Sequence, residues 1–201
     1  MRRKDLDAAE VRVLGCLLEK QRTTPDGYPL TLNALRLACN QSTGRDPVVD
    51  YDDAGVRTAA ERLARRRLAR FASGHQSRAA KYRQMLGEEE GLADGELALL
   101  ALLMLRGPQT PGELKARAER LHRFDASGAV HETLGRLIER ELVARLGRQP
   151  GQKEERYAHR LSEDRDDVEA PAATEEAGPS LEHRVEQLER EVAELRRALA
   201  R

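Results

Sequence analysis

Aromatic residues are scarce in this chain: 201 residues hold no tryptophan, two phenylalanines and four tyrosines. The core must therefore be leucine, valine and alanine, which suits packed helices better than a β-sandwich. Cysteine is as rare. Cys16 and Cys39 stand in helical apolar patterns, so they predict buried core thiols and no disulfide framework. No apolar run approaches the ~20 residues that span a bilayer. The longest, residues 97–105, predicts a buried helix, and the N-terminus is basic, then acidic, without a signal-peptide core. A cytoplasmic protein with no membrane partner is expected. Glycine-rich phosphate loops, nucleophile elbows and metal-ligand pairs at helical spacing are missing too. The sequence gives no reason to expect an enzyme, a cofactor or a metal site.

Charge of one sign is also missing overall, since 35 basic residues meet 35 acidic ones. Its distribution is uneven. Residues 1–87 carry 17 Lys/Arg against 10 Asp/Glu, residues 88–161 carry 12 against 13, and residues 162–201 carry 6 against 12. A basic first part followed by an acidic tail is a mild footprint of polyanion binding. Arginine outnumbers lysine 30 to 5, a bias that GC-rich coding also produces, so the charge alone does not name a partner.

What is present is a repeat. GVRTAAERLARRRLAR (55–70) and AVHETLGRLIERELVA (129–144) align without gaps over their shared core. Val56 matches Val130, Arg62 matches Arg136, Leu63 matches Leu137, Arg66 matches Arg140 and Leu68 matches Leu142, and Tyr82 meets Tyr157 after a one-residue shift. A helix running into a strand, a polar turn and a returning strand is the back half of a winged helix. The expected fold is mainly α with small β-hairpins: tandem winged-helix domains plus a C-terminal coiled-coil helix. The expected divisions are 1–87 and 92–161 for the two domains, 162–179 for a disordered acidic linker and 180–201 for the coiled coil.

Local chemistry supports the element order. Asp7 with Glu10 reads as a capping box, followed by Val11, Leu14, Leu17 and Leu18 at helical spacing. Tyr28-Pro29-Leu30 suits a short edge strand, Thr31 caps a second helix, and Asp52 or Asp53 caps a third. In that third helix Val56, Ala59, Ala60 and Leu63 face inward, while Arg57, Thr58, Glu61, Arg62 and Arg65 face out. Strands are predicted near 68–73 and 79–85, and GEEEG (87–91) reads as a charged linker. In the second unit Asp94 is the expected cap, Thr110-Pro111 with Glu113 a second capping box, and Val130, Leu134, Leu137 and Ile138 an inward row. The polar loop around Asn40–Pro47 reads as a segment fixed by an Arg45–Asp46 salt bridge, with a recognition loop as the alternative.

At the C-terminus Val185, Val192 and Leu199 occupy heptad a positions, and Leu181, Leu188 and Leu195 the d positions. Branched residues at a with leucine at d favour a parallel two-stranded coil. Arg184 to Glu189 and Glu191 to Arg196 complete the flanks. A homodimer is therefore expected, with a lone amphipathic helix as the alternative.

Four words in order resemble the YceH-like family of bacterial proteins: VRVLGCLLEKQRTTPDGYPLTLNALRLACNQ (11–41), RDPV (45–48), LRGPQTPGELKARAERLH (105–122) and RQPGQKEERYAH (148–159). The resemblance covers residues 6 to 161 and implies a tandem winged-helix fold in the bacterial cytoplasm, often with a C-terminal heptad segment. It implies no ligand, substrate or catalytic residue. The chain departs from the family at Leu146-Gly147-Arg148, where Leu-Pro-Arg is expected, and near Ser42-Thr43-Gly44. Both are loop changes.

If the partner is double-stranded DNA, the third helices and wings should meet it. The candidates are Arg57, Arg62, Arg65, Arg66, Arg78 and Lys81 in the first unit, with Arg136, Arg140, Arg148 and Lys153 in the second. His131 stands on the same second-unit helix. Against DNA stand the dozen-residue connection before the third helix, where a reading helix-turn-helix uses three or four, and the acids Glu132, Glu139 and Glu141. A protein-docking adaptor is the alternative use of the same surfaces.

Overall fold

A computed structural model describes residues 5–72, 80–147 and 154–162. Asp7 opens helix α1 (Ala8–Thr23): its Oδ1 accepts the Glu10 N–H at 2.8 Å, and Glu10 Oε2 accepts the Asp7 N–H at 2.9 Å. Both orphan amides are thereby satisfied. A 3₁₀ turn at Pro25–Gly27 leads to strand β1 (Leu30–Thr31), and Thr31 caps α2 (Leu32–Cys39) by accepting the Ala34 N–H at 3.3 Å. After the loop 40–52, Asp52 caps α3 (Asp53–Arg65). Strands β2 (Ala69–Ala72) and β3 (Lys81–Gln84) follow, and the sheet order is β1-β3-β2, antiparallel throughout. Helix α4 (Leu86–Glu90) then leads into α5 (Asp94–Arg106), α6 (Pro111–Ala118) and α7 (Ser127–Glu139). Strands β4 (Val143–Leu146) and β5 (Arg156–His159) pair antiparallel.

The repeat seen in the sequence recurs in the backbone. Helix α3 ends with the Leu68 N–H donating to Leu63 O and the Arg67 N–H to Ala64 O; α7 ends with Leu142 to Leu137 O and Glu141 to Ile138 O. These are Schellman pairs, and each puts a non-glycine residue in the left-handed region, Arg67 at φ 61 and Glu141 at φ 57. Leu30 pairs with Tyr82 in the first sheet, and Gln109 forms a single bridge with Tyr157 beside the second.

Helices α1 and α5 lie antiparallel. Arg22 pairs with Asp94 at one end, and further along Gly15 lies against Met104 and Leu105. A Cβ on Gly15 would come within 3.0 Å of the Leu105 side chain, so the close approach depends on glycine there. Around this pair runs one continuous apolar core, from Leu14 and Leu17 of α1 through Leu99, Leu100 and Leu103 of α5 to Leu63 of α3 and Leu137 of α7. Residues 97–105 form a helix buried on every side. No helix among the described residues is long and apolar enough to cross a membrane.

Three local expectations are corrected. Residues 87–91, expected as linker, are helical at 87–90 within α4: Glu88 and Glu89 sit in the first turn, where carboxylates suit the helix dipole, and Gly91 ends it at φ 60. The cap of α5 is Ala93, not Asp94. Glu96 Oε2 accepts the Ala93 N–H at 2.7 Å, leaving Asp94 as the first helical residue, free to meet Arg22. Ile138, expected to point inward, is 38% exposed, because Leu134 and Leu137 already fill the contact with the core.

Candidate nucleic-acid interface

The outer face of α3 exposes Arg57, Thr58, Glu61, Arg62 and Arg65, while Val56, Ala59, Ala60 and Leu63 are buried beneath. Its arginines divide into two kinds. Arg62 Nη1 donates to Asp7 Oδ2 at 2.7 Å. Arg66 Nη2 donates to the Asp5 carbonyl at 2.9 Å, and its Nε lies 3.5 Å from Glu10 Oε1. These two tie the end of α3 to the start of α1. Together with Arg65 they line a cleft of about 350 Å³ whose other wall is Asp5, Asp7 and Glu10. Among the described residues Arg65 bonds to its own helix, with Nε 3.4 Å from the Glu61 carbonyl. Arg57 makes no hydrogen bond or ion pair with a described residue.

Burial pushes the Tyr82 hydroxyl above its ordinary pKa, with the Arg57 charge opposing and the Glu61 charge adding to the shift. Across the strand pair from Tyr82 lies Phe71, 45% exposed, with ring centroids 5.2 Å apart. The sequence reading missed Phe71. The available signal was an aromatic beside Arg70 in a short strand just before the polar turn. Lys81 is half-buried at the start of β3, opposite Thr31 and Ala72.

The second unit repeats the arginine anchor. Arg136 Nε and Arg140 Nε lie 3.7 and 3.8 Å from Glu96 Oε1, and Arg140 Nη1 donates to the Glu90 carbonyl at 2.7 Å. Glu10 and Glu96 are therefore equivalent. Each caps the first helix of its half with one oxygen and faces the arginines of the third helix with the other. Arg136 also donates to Thr133 Oγ1 at 3.0 Å. His131, Glu132, Ile138 and Glu139 are exposed on the same helix. Arg78, Arg148 and Lys153 lie outside the described residues, as do Leu181, Val185, Leu188, Val192, Leu195 and Leu199.

The long connection between α2 and α3 is braced from within. Arg45, with 1% of its side chain exposed, makes a bidentate pair with Glu19 (Nη1–Oε1 3.0 Å, Nη2–Oε2 2.6 Å) and donates through Nε to the Ala38 carbonyl at 3.0 Å. Its partner is thus Glu19, not the neighbouring Asp46 that the sequence reading paired with it; the Asp46 N–H goes to Leu105 O at 2.8 Å. Buried Arg12 donates to the carbonyls of Cys39 at 3.0 Å and Pro47 at 2.5 Å. Asn40 completes the brace, exchanging bonds with the Tyr51 backbone at 2.8 and 2.9 Å. A fork with five donors can hold a loop that offers only carbonyls.

Cys16 and Cys39 are both buried, and their thiols hydrogen-bond to each other across α1 and α2. That bond, then burial, pushes the Cys39 thiol up, so it stays protonated.

The family described as "Protein of unknown function, DUF480" matches residues 6–152. The "UPF0502 protein YceH" of Salmonella typhimurium and that of Salmonella agona are each 45% identical to the chain over 203 aligned positions, covering 97% of it and 94% of the relative. The chain belongs to this family.

Proposed function

We propose that each half is a winged-helix unit and that the protein is a regulator binding duplex DNA, with α3 as the recognition helix. The observation that carries the reading is the division among the α3 arginines. Arg57 and Arg65 are left for an outside partner, while Arg62 and Arg66 are engaged in holding the helix in place. Beside them Phe71 offers an aromatic face at the base of the β2–β3 hairpin. Arginine forks suit both guanine edges and phosphate oxygens. The buried Arg45 and Arg12 bonds bear on the loop length: they fix the connection, at Arg45 and Pro47, to the end of α2 and to α1, so a long connection need not be a loose one. The heptad at residues 181–199 supports a homodimer.

A fluorescence anisotropy titration of duplex DNA over a salt series tests this. Wild type should bind at low salt, with a log–log slope of about −0.9 per phosphate contact. R57E/R65E should abolish binding while keeping the wild-type melting curve. Equal binding by the double variant would remove α3 from the interface. The second reading, a protein-docking adaptor, is favoured by α7, which exposes Ile138 beside Glu132 and Glu139 and so suits a protein better than phosphate. Absence of wild-type binding to any duplex at low salt would transfer the case to it.

A further inference from the structure

Two arginines, Arg12 of α1 and Arg45 of the connection to α3, are buried. Arg45 has its carboxylate, the bidentate Glu19. Arg12, 4% exposed, has none among the described residues. Its Nη1 donates to the Cys39 carbonyl at 3.0 Å and its Nη2 to the Pro47 carbonyl at 2.5 Å. Three of the five guanidinium N–H donors are left without an acceptor among the described residues. Carbonyl dipoles do not cancel a full charge, and a buried cation without an anion is costly.

Arg12 lines a cleft of about 180 Å³ whose other walls are the connection 46–51, α5 and the end of β5. Pro47, whose carbonyl holds the guanidinium, belongs to the wall, and so does its neighbour Asp46. The Asp46 backbone is fixed by its N–H bond to Leu105 O at 2.8 Å. Its carboxylate is exposed and makes no hydrogen bond or ion pair with a described residue. One cleft thus carries a cation and an anion that do not pair with each other. Val11, Val49 and Met104 supply apolar lining. A closed cavity of about 150 Å³ accepts benzene, so this cleft has room for about eight non-hydrogen atoms.

We propose that this cleft binds a free amino acid with a small apolar side chain, its carboxylate on the Arg12 guanidinium and its ammonium on Asp46. A plain carboxylate would answer Arg12 but meet the Asp46 charge, and a plain amine would do the reverse. A zwitterion answers both. The site shares no residue with the outer face of α3 and does not rest on the DNA reading.

Isothermal titration calorimetry of the full-length protein tests this with three ligands of one shape. They are L-valine, 3-methylbutanoate, which lacks the ammonium, and isobutylamine, which lacks the carboxylate. L-valine should bind saturably, and each truncated ligand should bind about tenfold more weakly or worse. Arg12 also braces Cys39 and Pro47, so the decisive variant is Asp46→Asn. It should weaken L-valine by about tenfold and melt as wild type does, since the Asp46 side chain holds no described residue. The same variant should bind 3-methylbutanoate no less well than wild type, because a repulsion is removed. R57E/R65E should bind L-valine as wild type does, whatever its effect on duplex binding. No saturable binding of L-valine overturns the proposal. So does binding of 3-methylbutanoate as tight as that of L-valine, or L-valine binding that Asp46→Asn leaves undiminished.

Discussion

Arg65 and Arg66 are adjacent and chemically identical, and replacing each with alanine should give opposite results. The Arg66 side chain is 15% exposed and faces the Glu10 carboxylate, itself 2% exposed. Arg66→Ala removes the cation beside Glu10 Oε1, an oxygen that accepts no hydrogen bond, and the donor to the Asp5 carbonyl. Glu10 would be left with the Asp7 N–H as its hydrogen-bond donor among the described residues. Leaving a buried carboxylate short of its cation costs about 2–3 kcal/mol, below the 3–5 of a fully buried pair because Arg66 is not fully buried. For a chain of this size that is a fall in melting temperature of roughly 5–10 °C. Arg65→Ala should stay within about 0.5 kcal/mol of wild type. Urea and thermal unfolding followed by circular dichroism measure both. A cycle with Glu10→Gln isolates the pair and should show a coupling of about 1–2 kcal/mol. Equal costs for the two arginines, or no coupling with Glu10, would refute the division of α3 into anchoring and outward-reaching residues. In duplex binding the order should reverse, with Arg65 the costly loss.

Two further outcomes follow from other parts of the chain. Burial pushes the Tyr28 hydroxyl up to about 12, and it accepts the Gln84 N–H at 2.6 Å; its contribution to stability should be full below pH about 10, the unfolded value, and lost as pH rises through 12. Absorbance at 295 nm should show one tyrosine titrating last, and Tyr28→Phe should remove that step; an unchanged alkaline titration would contradict it. Deleting residues 180–201 should halve the mass seen by sedimentation equilibrium, and Leu188→Lys should do the same by charging the heptad seam; an unchanged mass for both would exclude the coiled coil.

The features legible in the sequence are those written within a few residues. Asp7 with Glu10, Thr31, and Thr110 with Glu113 all cap as read, because a cap and its amide are three residues apart. The apolar run 97–105 and the buried faces of α1 and α3 follow the helical period. What the sequence hid is set by long-range pairs. Arg62 and Asp7 are 55 residues apart, and Arg45 and Glu19 are 26 apart, so no local pattern announces either. Helical phase placed Arg62 outward correctly, but it could not distinguish an arginine facing water from one answering another helix. The error at Ile138 has the same origin: its row is apolar by period, yet the partner that would cover it is not there among the described residues.

The antiparallel seam of α1 and α5 has a consequence for how the molecule can change over time. Because Gly15 rests on Leu105 and α5 is covered on all sides, neither half owns its own interior. Expressed alone, each would present a long apolar stripe to water and invite aggregation. The outer faces of α3 and α7 can drift apart in charge, and they already differ. The helices behind them cannot, since every enlargement on one side needs a matching reduction on the other. Such a chain can change its two outer faces independently while remaining a single folding event.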